Sequence, residues 1–148
     1  MTESESIRGV LILGAIGGAI LSLIAFLLSR FARDARGRTV LAIGLFAAAG
    51  AYFGFAIVGP GSRLWILIEL MQVSVFSLIG LYGWRGSPNW LALGWALHPL
   101  WDVGVHYVGP GHSFAPMGYV FACLSFDLVM AAYVFLAYKV LLRSTREI

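Results

Sequence analysis

The sequence predicts an all-α protein, a polytopic bundle of about five transmembrane helices forming one integral membrane domain over residues 1–148. Three observations predict it. Of the 148 residues, 60% are apolar and only 11% charged, too few charges to clothe a water-facing surface. The apolar residues come in long uncharged runs, with Arg and Pro collected in the short segments between them, the block pattern of a chain solvated by lipid. Each run also approaches the ~20 residues that an α-helix needs to cross a ~30 Å hydrocarbon core.

The first run covers residues 7–31. Ahead of it stand Glu3 and Glu5 instead of a basic leader region, and no small-residue cleavage site precedes the Arg-rich loop, so the run reads as a span and not as a cleaved signal. Four more spans follow at residues 39–58, 64–82, 90–108 and 118–142, separated by loops punctuated with Gly, Pro and Arg. All should be helical, because hydrocarbon offers no partner to an unpaired backbone and the runs are too long and unalternating for barrel strands. Gly14, Gly17, Gly18, Gly44, Gly50 and Gly54 in the first two spans read as close-packing positions. Trp65, Trp84, Trp90, Tyr107 and Tyr119 fall near span ends, where amphipathic rings favour the interface.

Basic residues set the orientation. Arg30, Arg33, Arg36, Arg38, Arg85, Lys139, Arg143 and Arg146 fall on one side and only Arg8 and Arg63 on the other, which places the N-terminus outside and the C-terminus in the cytoplasm. The formal charge of +3 is explained by these membrane-edge clusters, so nucleic acid is not an expected partner. Cys123 is the single cysteine; it lies inside an apolar run and reads as a buried bystander thiol.

The polar residues inside the spans carry the functional argument. The chain has seven acidic residues, and Glu69, Asp102 and Asp127 fall within spans, where an unpaired charge costs several kcal/mol and a functional site is the default reading. Counted at ~1.5 Å per residue from the outer span ends, Glu69 lies about 8 Å deep, Asp102 about 9 Å, and His98 and Asp127 about 14 to 15 Å. His106 sits near the mouth, and Tyr52, Gln72 and Ser125 share the outer half, so four helices can bring polar groups into one cavity. The inner half has nothing comparable.

The fourth span reads His98-Pro99-Leu100-Trp101-Asp102-Val103-Gly104-Val105-His106. Steps of four place His98, Asp102 and His106 on one helix face. His98 and His106 are roughly 12 Å apart along the axis, too far to share one ion, so one ion per His/Asp pair or a dinuclear site centred on Asp102 fits better. Glu69 and Asp127 can complete either arrangement with oxygen ligands, and zinc, iron, copper or manganese suits the donor set. The alternative is a packing role, with Asp102 accepting hydrogen bonds from His98 or His106 in a neutralised polar knot and Asp127 serving a Tyr or Trp. Pro99 can kink the helix and free the carbonyl near Trp95. The loop from Gly109 to Pro116, rich in Gly and Pro, either caps the cavity or simply connects two spans, and His112 in it can be an ordinary loop histidine.

The His98/Asp102 pair, the Gly109-Pro110 loop and the following Cys123-x-x-x-Asp127 segment resemble a family of small, uncharacterised prokaryotic polytopic membrane proteins. The resemblance runs mainly over residues 90–133. It implies membership and carries no chemistry.

Three functions are weighed on these residues. The first is a membrane enzyme whose outward-facing site acts on a lipid-like or small apolar substrate, with His98, Asp102, His106, Glu69 and Asp127 as metal ligands or as acid–base groups. The second is transport of a proton, a metal ion or a small solute, opposed by the apolar inner half and by the lack of an inverted repeat, although a homo-oligomer can supply a path that one subunit lacks. The third is a non-enzymatic membrane subunit. Bis-histidine haem is disfavoured because His98 and His106 share one helix, and Ser125 has no nucleophile elbow around it. With no phosphate-binding fingerprint in the sequence, a nucleotide-driven machine is not expected.

Overall fold

The computed structural model describes residues 3–59 and 62–138. It is all helical, with no strand among the described residues. Helix α1 spans Glu3–Phe31, α2 Asp34–Val58, α3 Arg63–Arg85, α4 Asn89–Trp101 and α5 Met117–Ala132. Two helices change pitch before they end: α4 runs on as a π-helical segment over Asp102–Tyr107, and α5 runs on as another over Tyr133–Tyr138. Residues 139–142 of the fifth expected span, with Lys139, Arg143 and Arg146, lie outside the described residues.

Four helices are long and apolar enough to cross a membrane: Ser4–Phe31, Asp34–Val58, Arg63–Arg85 and Met117–Leu136. The fourth expected span, residues 90–108, is a composite of 13 α-helical and six π-helical residues. Pro99 lies inside its α-helical part and has no N–H to return to the Trp95 carbonyl. Three residues further on, the bonding widens to the i→i+5 pattern, as in the 2.9 Å bond from the Val108 N–H to the Val103 carbonyl.

The helices close into a ring. Each packs on its neighbours in sequence, and α1 returns to pack along α5. Glycine makes this last contact possible: a Cβ on Gly14 would collide with the Ala122 carbonyl oxygen, and one on Gly18 would stand 2.7 Å from the Phe126 carbonyl oxygen. Gly50 and Gly54 have nothing within 4 Å of such a Cβ, so the packing role expected of them is not seen. At one end Arg38 pairs with Asp34 and donates to the Gly86 carbonyl at 2.7 Å, while the Trp84 indole donates to Thr39 at 2.9 Å, tying the start of α2 to the end of α3.

The exterior is apolar and the interior is partly polar. Leu13, Phe31, Val58 and Leu100 are among many large apolar side chains left exposed, while Glu69, His98, Asp102, His106 and Asp127 have no exposed surface. That inverts the water-soluble pattern and fits a bundle whose solvent is lipid. An apolar core of Leu41, Leu45, Ala49, Leu91, Trp95 and Met130 fills one half of the ring. A smaller cluster of Tyr52, Ala56, Phe114, Ala115 and Val120 closes the end that carries the 108–116 connection. The buried polar groups lie between the two.

Candidate functional site

Helix α4 supplies three of the polar groups from one face. In the α-helical part a step of four residues overshoots a full turn by ~40°, whereas the wider π-helical turn undershoots it. The step from His98 to Asp102 and the step from Asp102 to His106 therefore drift in opposite senses, and all three side chains stay buried in the ring.

The neighbouring helices complete the cluster. From α5, Asp127 Oδ2 accepts a 2.7 Å hydrogen bond from His98 Nδ1. Asp102 Oδ2 lies 3.5 Å from the same nitrogen, and its carboxylate has no hydrogen-bond donor. From α3, Glu69 Oε1 stands 3.5 Å from His106 Nε2. From α2, the Tyr52 ring stacks on His106 with centroids 4.0 Å apart and planes 2° from parallel. Phe76 of α3 meets His98 edge to face at 5.0 Å. Counted from the helix ends on the capped side, Tyr52 and Glu69 are ~9 Å deep and His98 and Asp127 ~14 to 15 Å.

The five expected site residues thus fall into two adjoining groups. His98, Asp102 and Asp127 each offer a ligand atom, and these atoms lie within 4.8 Å of one another. His106 and Glu69 form the second group, nearer the capped end. In the polar-knot alternative Asp102 was to bond a histidine and Asp127 a Tyr or Trp; instead Asp127 holds the hydrogen bond to His98.

Charge balance is the unusual property of this cluster. Five of its six carboxylate oxygens accept no hydrogen bond: both of Glu69, both of Asp102 and Oδ1 of Asp127. The nearest donors are the Tyr52 hydroxyl, which faces Asp102, and the Trp101 indole N–H, which faces Glu69; each is close enough to favour the carboxylate electrostatically while falling outside strict hydrogen-bond geometry. Three carboxylates therefore share two histidines in the middle of an apolar bundle, and such a site needs protons or a cation to be stable there. The group is close enough to gather round one cation: His98 Nδ1 stands 2.7 Å from Asp127 Oδ2 and 3.5 Å from Asp102 Oδ2, and an ion ligated by this nitrogen would replace the proton it now shares with Asp127 and draw the ligand atoms to the roughly 3.0 to 3.4 Å separations of octahedral or tetrahedral geometry.

The 109–116 connection caps the cluster. Phe114 is buried and meets His106 edge to face at 5.4 Å, and Trp65 packs on Phe114 at 5.2 Å. A Cβ on Gly111 would stand 2.6 Å from His106 Nδ1, so glycine is what lets the loop lie against the imidazole. His112 faces away, with its Nδ1 on the Gly109 carbonyl at 2.8 Å, and is an ordinary loop histidine. Ser125 does not join the polar group: its hydroxyl donates to the Phe121 and Ala122 carbonyls of its own helix, beside Gly14 of α1. Cys123 is buried. Sequence reasoning placed Tyr52 and Gln72 at the right depth without giving them a role, and it missed Phe76, Trp101 and Phe114, for which an aromatic in an apolar run gives no distinguishing signal.

Fold and site together define a polytopic helical membrane bundle with a capped His/carboxylate cluster in its interior. The chain belongs to a family of unknown function, DUF6010, whose profile matches residues 13–139 and so takes in the whole cluster. No curated protein and no solved structure matches the chain.

Proposed function

We propose that this protein is a metal-dependent enzyme of a prokaryotic cytoplasmic membrane, with its N-terminus outside, its C-terminus in the cytoplasm and a lipid-like substrate. The observation that carries the reading is the donor-poor cluster: five buried carboxylate oxygens without a hydrogen bond, three of them on Asp102 and Asp127, whose carboxylates gather with His98 within 4.8 Å. His98, Asp102 and Asp127 hold the ion, whose nitrogen and oxygen donors suit zinc, iron or manganese, with copper as a further candidate. When bound, the metal polarises a substrate oxygen or activates water. His106 and Glu69, one helical turn nearer the cap, accept and return the proton, and Tyr52 fixes the imidazole plane by stacking on it.

Two features support a one-sided site over a transport path. The half of the ring beyond His98 is filled by Leu41, Leu45, Leu91, Trp95 and Met130, which offer no polar relay to the other face. The basic residues on that side, Arg30, Arg33, Arg36, Arg38 and Arg85 among them, support its cytoplasmic placement, so the cluster belongs to the outer leaflet. Should the subunits pair, a homo-oligomer leaves this site intact within each chain.

The test is a lipid-conversion assay. Purified protein is reconstituted with total bacterial membrane lipid and one equivalent of zinc, manganese or iron(II), and the lipid profile is compared with that of Asp102→Ala. The reading expects a metal-dependent change in one lipid class that Asp102→Ala abolishes. Identical lipid profiles, together with metal or proton flux across the same vesicles, would establish transport instead.

A further inference from the structure

A groove of about 350 Å³ runs between α3 and α4 on the lipid-facing side of the ring. Its rims are Met71, Val75, Leu97 and Leu100, all exposed apolar side chains. Its floor is Gln72, Phe76 and Trp101. Two of them also touch the His/carboxylate cluster, since Phe76 packs on His98 and Trp101 lies near Glu69. Only one layer of side chains therefore separates the bilayer from the buried carboxylates.

The floor also holds polar groups with nothing to bind. Gln72 is only 2% exposed, and neither its amide nitrogen nor its oxygen has a hydrogen-bond partner; the Trp101 indole nitrogen also lacks one. A buried amide in this condition is expensive in hydrocarbon, and it lies nine residues, ~14 Å, along α3 from Arg63, close to the bilayer midplane. At that depth the available solvent is acyl chain, and no residue lining the groove is charged. The recognisable ligand is an apolar chain carrying a neutral oxygen, not a charged headgroup.

We propose that the α3/α4 groove is the lateral substrate site, binding a neutral lipid whose carbonyl or hydroxyl oxygen pairs with Gln72, and that the lipid reaches the cluster past Phe76 and Trp101. The inference rests on the enzyme reading given above and names its substrate class and its route. Gln72 is here a binding residue, since its amide can donate to a carbonyl or accept from a hydroxyl. The 109–116 cap, packed on His106, closes the aqueous end, so substrate arrives from the side.

The experiment uses full-length protein in lipid nanodiscs and two photoactivatable probes of equal chain length. One is a diazirine-bearing long-chain ketone, and the other is the same diazirine hydrocarbon without oxygen. Labelled residues are mapped by mass spectrometry, and metal content is measured on the same preparations. The ketone is expected to label residues 71–76 and 97–101 about five-fold more than the hydrocarbon, the difference that one hydrogen bond makes. Gln72→Leu should abolish the excess while leaving hydrocarbon labelling in place, and Val75→Trp, which fills the groove from its exposed rim, should reduce labelling by both probes. Equal labelling by the two probes, or an excess that survives Gln72→Leu, overturns the proposal. Metal content separates the two readings: a metal-free protein with intact ketone preference removes the metal enzyme and keeps the groove, whereas bound metal without ketone preference does the reverse.

Discussion

Asp102 distinguishes a ligand from a structural residue, because the two roles predict opposite effects of neutralising it. Its carboxylate is fully buried, makes no hydrogen bond and stands 3.5 Å from His98 Nδ1. Asp102→Asn removes one of three clustered negative charges at nearly constant volume. In metal-free protein, where protons must neutralise the cluster, the substitution relieves the crowding of carboxyl groups and breaks no bond that reaches hydrogen-bond geometry, so stability should hold or rise. With metal the sign reverses. At a free metal concentration 100-fold above Kd, binding adds about 2.7 kcal/mol to wild-type stability. Losing a ligand weakens binding by roughly 100-fold or more, which leaves about 0.4 kcal/mol at the same concentration. The metal-induced increment should therefore fall by about 2 kcal/mol. Unfolding by sodium dodecyl sulfate in mixed micelles, with chelator and then with added zinc or manganese, measures both quantities. If metal-free Asp102→Asn loses several kcal/mol and the metal increment is zero in both proteins, Asp102 is a packing residue and the ligand reasoning is wrong.

Further predictions follow from single contacts. Gly111→Ala should loosen the cap, because the new methyl meets His106 Nδ1 at 2.6 Å; faster hydrogen exchange across residues 109–116 with little change in bound metal is the expected result. Tyr52→Phe keeps the stack on His106 and removes a hydroxyl that reaches no strict hydrogen-bond geometry, so the unfolding free energy in the same detergent titration should change by less than about 1 kcal/mol while Tyr52→Ala costs about 3 kcal/mol or more. Gly14→Ala should sharply lower the yield of folded protein, because the methyl overlaps the Ala122 carbonyl of α5, whereas Gly50→Ala, with open space around it, should be neutral within about 0.5 kcal/mol. Size-exclusion profiles in mild detergent distinguish these last two.

The helices were legible because lipid imposes a simple rule on sequence: long apolar runs between charged turns become spans. What that rule does not contain is rotation about each helix axis. Steps of four placed His98, Asp102 and His106 on one face, but nothing in the spacing indicates how α5 is turned against α4, and that turn makes Asp127 the hydrogen-bond partner of His98. The same ignorance misplaced Ser125, which lies two residues from Asp127 and so faces α1, satisfying its hydroxyl on its own helix. The π-helical end of the fourth span is equally hidden, since i→i+5 bonding carries no periodicity signal over six residues. Glycines divide likewise into those pressed against a neighbour, such as Gly14, and those facing open space, such as Gly50.

The claim on which the rest depends is that a cation completes the cluster of His98, Asp102 and Asp127. Elemental analysis of the detergent-purified protein, tag-free and with no metal added, tests it directly when run beside Asp102→Ala. Near-stoichiometric zinc, iron, manganese or copper in the wild type, lost in the variant, is the predicted result. A folded wild-type protein without bound metal would contradict it and leave the carboxylates neutralised by protons, and metal retained equally by Asp102→Ala would contradict it by showing an ion held without this ligand.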